Sequence, residues 1–244
     1  MKTDNIAISF VIPVYNEKEL LKRNVAKLMQ YCQKNKVVAE ILLCENGSTD
    51  GSREIIKKIR QKNIRKIYLN NKGLGGAYRA GILASKLPIV YFTGIDFPFG
   101  LKNILDCHRF IDQYDFVLAS KAHPKSKITT SFKRKLSSAI YRLLLKTFLN
   151  LKIGDPQGCV MFRRKKIIKY LALCDSRDAF FSTQLALYGE MNGLRMIEIP
   201  VRYLNPRKGS KISVVKDGLK MYKQIISERR RIRIGNARRQ GKRM

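Results

Sequence analysis

The acidic and amide side chains best suited to chemistry sit in a few short loops, each placed directly after an apolar run. "ENGSTDGS" (45–52) sets Glu45 and Asn46 at the end of one run, an acceptor-bearing pair suited to a nucleobase edge or to ribose hydroxyls. Ser48 or Asp50 can cap a helix beginning near Gly51. Asp50 reads first as a cap or turn residue. Glu45 reads first as a ligand contact, because a carboxylate at the carboxyl end of a buried strand requires a partner. "NNKGLGGAYRAG" (70–81) holds Gly73, Gly75 and Gly76, but Tyr78 stands where a dinucleotide fingerprint has its third glycine, and no stretch fits the Walker pattern. Two readings stay open for Gly75 and Gly76: small residues that admit a phosphate to the N–H groups of a helix start, or a tight turn and cap. Asp96 closes "IVYFTGID" (89–96), a run so apolar that an ionised carboxylate there calls for a cation or several donors. Magnesium would supply that cation, since it takes one or two protein carboxylates and completes its octahedron with substrate phosphates. Late in the chain, Arg207 and Lys211 have the fork and the point charge that clamp phosphate.

The elements that must position these loops are legible. Apolar, β-branched runs at 6–16, 39–45, 65–70, 88–94 and 115–120 alternate with helical patterns. This is the βαβα rhythm of an α/β fold, a Rossmann-like, mostly parallel sheet with helices on both faces. Ligands of such sheets bind beyond the carboxyl ends of the strands, where the polar loops fall. From about residue 130 the rhythm changes to a long basic helix, a short strand near "GCVMF", further helices, a strand at "MIEIPVRYL" and a terminal basic helix.

At 244 residues the chain is long enough for one large domain. Its 50 Lys+Arg against 18 Asp+Glu give a formal charge of +32, which attracts nucleic acid, anionic lipid headgroups or phosphorylated substrates without choosing among them. Cys32, Cys44, Cys107, Cys159 and Cys174 are odd in number and widely spaced, as expected of reduced thiols, and show no metal-finger spacing. The N-terminus lacks a signal-peptide layout, and no apolar run approaches the ~20 residues that span a bilayer. A cytoplasmic protein with peripheral membrane contact is the expectation.

Seven stretches, "VIPVYNE", "ENGSTDGS", "GLGGAYRAG", "GIDFPF", "KRKLSSA", "GDPQGCVMFRRK" and "IPVRYLNPRKGSK", occur in the order found in family 2 glycosyltransferases of the GT-A fold. Over about residues 6–225 the chain resembles in particular the dolichol-phosphate mannose synthase branch. That resemblance implies one GT-A domain over 1–234, with a nucleotide-binding half (1–120), an acceptor-binding half (121–212) and a C-terminal helix (213–234), then a basic tail (235–244) that reads as disordered. It implies that Pro13, Tyr15, Glu17, Glu45, Asn46 and Gly75 hold the nucleotide sugar and that Asp96 belongs to the metal motif, binding Mg2+ or Mn2+. It places Arg134, Ser138, Asp155, Arg207 and Lys211 at the acceptor and donor phosphates, with Asp96, Arg134, Arg207 and Lys211 as the catalytic set. The chain departs from the pattern at Gly94, where the motif has its first acid, at Ile95, and at Glu45-Asn46, which replace Asp-Asp.

Many family 2 enzymes that glycosylate a hydroxyl carry an acid in the helix after "FF"; here that residue is Gln184. A hydroxyl acceptor requires a base, whereas a lipid phosphate is already ionised and needs only alignment. The expected reaction is therefore inverting transfer of a sugar, mannose or glucose, from a nucleotide sugar to a polyprenyl (dolichyl) phosphate. Phe132, Leu136, Ile140, Leu143, Leu144, Phe148 and Leu151 recur at helical spacing among cations, fitting either a helix lying on an anionic membrane surface or a stripe packed on the core. Relatives in this family sometimes append membrane-spanning helices; with none in this sequence, charge and the amphipathic helix are expected to dock it. The alternatives are transfer to a glycolipid or glycan hydroxyl, a catalytically degenerate nucleotide-sugar binder, and a basic nucleic-acid-binding protein. The last lacks any finger, helix-turn-helix cue or stacking platform, so no specific nucleic acid is expected.

Overall fold

The structure, a computed structural model, describes residues 6–203 and 214–240, and within the last helix the side chains of 219–234. The first part of the chain runs β1 (Ala7–Val14), α1 (Lys18–Lys34), β2 (Val38–Asn46), α2 (Ser52–Lys58), β3 (Ile64–Leu69), α3 (Leu74–Ala84), β4 (Ile89–Phe92), α4 (Lys102–His108) and β5 (Phe116–Ser120). Each strand falls within two residues of the corresponding apolar run, because a strand covered on both faces is apolar throughout and turn residues mark its ends. The second part runs β6 (Lys127–Ile128), α5 (Phe132–Leu149), β7 (Cys159–Arg163), α6 (Arg164–Ile167), a 3-10 segment (Ile168–Leu173), α7 (Phe180–Met191), β8 (Met196–Pro200), β9 (Arg202–Tyr203) and α8 (Val214–Gln240).

Seven strands form one sheet in the order β3-β2-β1-β4-β7-β5-β8, and β6 pairs with β9 in a small second sheet. All neighbours in the large sheet are parallel except β7, which runs antiparallel to β4 and β5. Period-two alternation along β1 sends Ile8, Phe10, Ile12 and Val14 to one face, where Leu21, Val25 and Leu28 of α1 cover them. Val11 faces the opposite layer, built from Ala77, Tyr78 and Ile82 of α3 and Phe181 and Leu185 of α7. Each fully buried side chain of this kind contributes about 1.5–3 kcal/mol. A third, smaller cluster joins Leu145 and Leu149 of α5, Phe180 and Leu187 of α7 and Ile225 of α8. The backbone of α8 runs on to Gln240, so no element ends at residue 234.

The register fixes where the loops gather. Val14 pairs with Glu45, Asn46 with Leu69, Phe92 with Val160, Ala119 with Cys159 and Ser120 with Pro200. Because β7 is reversed, its beginning rather than its end reaches this edge, which brings the "GDPQGC" loop beside the loops that follow β1, β2, β4 and β5.

Candidate functional site

Two zones share that edge. In the first, the loops after β1 and β2 bind each other. Asn16 adopts a positive φ of 55°, its N–H donates to Ser48 Oγ at 3.1 Å, and its Oδ1 accepts from the Thr49 N–H at 2.8 Å. The Glu17 N–H donates to Ser52 Oγ at 2.9 Å. Asp50 accepts from the Lys18 N–H and the Ser52 N–H, both at 2.9 Å, and so serves the first turns of α1 and α2 together. Burial pushes the Asp50 carboxyl up, but the Ser52 hydroxyl and these N–H donors outweigh it and hold it below its ordinary value.

Glu45 is fully buried; its Oε1 accepts from the Ser48 N–H at 2.6 Å and its Oε2 lies 3.5 Å from Arg53 Nε. Arg53 in turn lies over the Tyr68 ring at 5.1 Å, and Lys72 lies over the Tyr15 ring at 4.2 Å. Asn46 is buried, and among the described residues its Oδ1 has no donor, which leaves an acceptor at the tip of β2. Pro13 is buried within β1. At α3, the Gly75 N–H donates to the Arg177 carbonyl at 2.9 Å. A Cβ at Gly75 would meet Ser176 O at 2.3 Å and Asp178 O at 2.7 Å, so its smallness serves the approach of the 175–178 loop.

The second zone is a cleft of about 120 Å3 lined by Tyr78, Gly94, Pro98, Phe99, Lys121, Gln157, Gly158, Cys159 and Tyr203. Lys121 is its cation. The Lys121 N–H donates to Asp155 Oδ2 at 2.9 Å, and its ammonium stands 3.7 Å from the same oxygen. Asp155 is held in turn by Glu198, whose two carboxylate oxygens accept from the Gly154 and Asp155 N–H groups at 2.9 and 3.0 Å. Asp155 thus acts on this cleft by aiming a cation.

Asp96 differs from expectation. The apolar run predicts a sheltered carboxylate, but the turn after β4 buries Ile95 and leaves Asp96 exposed. Asn24 of α1, itself buried, donates from Nδ2 to the Ile95 carbonyl at 2.9 Å and fixes that turn. Asp96 Oδ1 lies 2.5 Å from where a Cβ on Gly94 would stand. Among the described residues no three His, Cys, Asp or Glu side chains gather to hold a metal ion. The donor set fits a divalent ion only as a single carboxylate whose ion is completed by phosphate oxygens.

Beside the cleft, α5 has two unlike faces. Tyr141, Leu144, Leu145, Phe148 and Leu149 face the third cluster, whereas Phe132, Leu136, Ile140 and Leu143 are 78, 51, 50 and 63% exposed. Part of the stripe therefore packs on the core, and the rest is exposed. Arg134 is half-buried and Ser138 exposed on the projecting first half. Arg207 and Lys211 lie outside the described residues.

Gln184 is buried and fully engaged. Its Nε2 donates to Asp175 Oδ1 and Glu228 Oε2, both at 2.8 Å, and its Oε1 accepts from the Ser176 N–H at 2.9 Å. The Tyr188 hydroxyl also donates to Glu228, and Arg231 lies 3.2 Å from Asp175. A neutral amide here separates two carboxylates and ties α7 to α8. Lys121, Asn24, Glu198, Glu228 and Tyr141 escaped the sequence reading, because none sits in a loop with unusual composition; "ASK" at the end of β5 was the one available signal, a cation directly after a strand.

The sequence pattern described as Glycosyl transferase family 2 matches residues 9–171. The undecaprenyl-phosphate 4-deoxy-4-formamido-L-arabinose transferase of Edwardsiella ictaluri is 28% identical over 216 residues, covering 86% of this chain and 64% of its own. The same transferase of Salmonella choleraesuis is 28% identical over 201 residues, covering 80% and 59%. The chain thus spans about 60% of the length of the curated relatives it matches. Among solved structures, glucosyl-3-phosphoglycerate synthase from Mycobacterium tuberculosis, in complex with Mn2+, UDP and glucosyl-3-phosphoglycerate, superposes with a TM-score of 0.60 at 16% identity, covering 91% of this chain and 77% of that one. Mannosyl-3-phosphoglycerate synthase from Rubrobacter xylanophilus gives 0.59 at 13% identity, covering 98% and 76%. These likenesses match the fold.

Proposed function

The chain belongs to glycosyltransferase family 2, and from that premise we propose that it moves a sugar from a nucleotide sugar to a polyprenyl phosphate at the cytoplasmic face of an anionic membrane. The observation that carries this reading is the first half of α5: an exposed apolar stripe flanked by Lys133, Arg134 and Lys135, on a helix joined through Tyr141 to Gln157 of a cleft whose cation is Lys121. Such a helix lies in a lipid interface with its apolar side in the acyl boundary and its cations near headgroups. Among the described residues no helix is long and apolar enough to cross a membrane.

The nucleotide would lie over Tyr15 and Glu17 with Glu45 and Asn46 at its base or ribose, and the sugar would enter the Lys121 cleft. An oxygen of the lipid phosphate attacks the anomeric carbon as the bond to the nucleoside diphosphate breaks, with inversion. The acceptor is already ionised, so the engagement of Gln184 by two carboxylates costs the reaction no base. Lys121 and Arg134 hold the two phosphate-bearing reactants, and Arg207 and Lys211 add charge to the departing diphosphate. A divalent ion, when bound by Asp96 and the donor's diphosphate, supplies Lewis-acid stabilisation of the leaving group; the Mn2+ complex of the mycobacterial synthase supports a cation of this class. For the sugar, the resemblance favours mannose or glucose, while the curated relatives' names carry 4-deoxy-4-formamido-L-arabinose.

The test is extraction of lipid after incubation with labelled nucleotide sugars, a polyprenyl phosphate and Mg2+ or Mn2+. Label in the organic phase is expected, falling at least ~100-fold in Asp96→Ala. Label carried only by a glycolipid or glycan hydroxyl, or none from any donor, would overturn the proposal.

A further inference from the structure

The first ten residues of α5 and its cap, Ser131 to Ile140, are exposed or half-buried, and Tyr141 is the residue at which the helix enters the body of the protein. From there inward, Leu144, Leu145, Phe148 and Leu149 follow at the three- and four-residue spacing of one helix face. Tyr141 is therefore the fulcrum between a projecting half and an anchored half.

Its hydroxyl carries a specific set of bonds. It shares a hydrogen bond with Thr183 Oγ1 of α7 at 2.7 Å, and it accepts from Gln157 Nε2 at 3.3 Å. Gln157 lines the cleft beside Lys121, Gly158 and Cys159. Among the described residues, Tyr141 is the one hydrogen-bond partner of the Gln157 side chain. The rest of that loop is anchored upstream, where Glu198 holds Gly154 and Asp155 and Glu190 accepts from the Lys152 N–H. The loop is thus held to the sheet at Asp155 and again at Cys159, which pairs with Ala119, and between these points the Gln157 side chain bonds α5. Tyr141 is partly buried, and desolvation pushes its phenol well above its ordinary value, so the hydroxyl stays protonated and available to the link.

We infer that Tyr141 is a positioning residue through which the seating of the projecting half of α5 on a lipid surface orders Gln157 and the 153–159 side of the cleft. This deepens the proposed function, on which it rests for the identity of the surface. A surface can shift the cleft only through a contact that differs between the seated and the free helix. The phenol, at the boundary of the two halves, joins the helix to a cleft-lining side chain.

Hydrogen–deuterium exchange on the full chain decides it, with and without vesicles of phosphatidylcholine and phosphatidylglycerol. In the wild-type protein, vesicles are expected to slow exchange of residues 153–159 about tenfold. Tyr141→Phe, which keeps the ring and removes the hydroxyl, is expected to sediment with the same vesicles as wild type yet to lose that slowing. Gln157→Met removes the other end of the link and is expected to do the same, which keeps the inference testable should the first variant fold poorly. In the transfer assay, Tyr141→Phe is expected to show a lower kcat on vesicle-borne acceptor with the KM for the nucleotide sugar unchanged. Equal slowing in wild type and variants, no slowing in wild type, or loss of vesicle binding by Tyr141→Phe each overturns the inference. The exchange measurement needs no turnover, so absence of transfer sinks the proposed function while leaving this result to stand or fall alone.

Discussion

At the tips of β1 and β2 the polar side chains bind one another, whereas along the first half of α5 the polar groups face water and the apolar groups are left open. Asn16, Ser48, Asp50 and Ser52 join the two donor-side loops through bonds of 2.8 to 3.1 Å made entirely within the protein. Phe132, Leu136, Ile140 and Leu143 have no such closure. The donor side is completed by folding and can present preset groups such as Asn46 Oδ1 to a small ligand. In the proposed reading, the acceptor side is completed by the lipid surface that covers α5. A soluble nucleotide suits the first arrangement, and a surface suits the second.

The contrast holds for the outward face of the acceptor side, and its inward face can be broken hardest. Gln184→Glu would set a third carboxylate within hydrogen-bond distance of Asp175 and Glu228 in a buried position. A loss of about 3–5 kcal/mol at neutral pH is expected, the size of an uncompensated buried charge, measured by urea unfolding. A loss below ~1 kcal/mol would show that water reaches this cluster.

The outward face should respond in the opposite way. Replacing Phe132, Leu136 and Ile140 together by Gln removes apolar side chains that are half or more exposed. Stability is expected to stay within about 0.5 kcal/mol of wild type, while vesicle binding falls by at least tenfold, since each apolar side chain is worth about 1.5–3 kcal/mol in an acyl environment if fully transferred. Unfolding of this variant would place the stripe in the core and erase the comparison.

Third in size is the donor side itself. Asp50→Ala removes an acceptor from the first turns of both α1 and α2. About 1–2 kcal/mol of stability should be lost, with vesicle binding untouched. That separation of effects, stability on one side and surface binding on the other, is the sharpest form of the comparison.

The two regions also differed in how well the sequence disclosed them. Five strands and the loops after them could be placed from apolar runs and turn residues, because those signals are local. Asp50 read correctly as a cap for the same reason, its partners being Ser52 beside it and Lys18 in the facing loop. Asp96 was read as needing a cation or several donors because the run before it is apolar, but the turn after β4 sends Ile95 inward and leaves Asp96 exposed. The reversal of β7 had no local mark. Neither did the partners of Gln184 and Tyr141, which lie 9 and 44 residues and 16 and 42 residues away along the chain. Sequence shows a glutamine where an acid is usual; only the packing shows that two acids already occupy its neighbourhood.

The smallest effect tests how α8 is fastened behind this acceptor side. Asp178 accepts from the Lys220 ammonium at 2.6 Å and from Gln224 at 3.0 Å, so it joins the 175–178 loop to α8. Burial pushes its carboxyl up, but Lys220, the Phe180 N–H, Ser176 and Gln224 outweigh that and hold it at about 2, against 3.8 for the free group. A folded value below the unfolded one means that the group stabilises above the unfolded pKa and ceases to do so as pH falls through the folded one. Wild type should therefore lose about 1 kcal/mol relative to Asp178→Asn between pH 5 and pH 2, a figure reduced for the solvent that reaches this half-buried pair. Parallel pH profiles for the two proteins would mean that Lys220 contributes nothing to the fastening, and that α8 is held by its other contacts, Ile225, Glu228 and Arg231 among them.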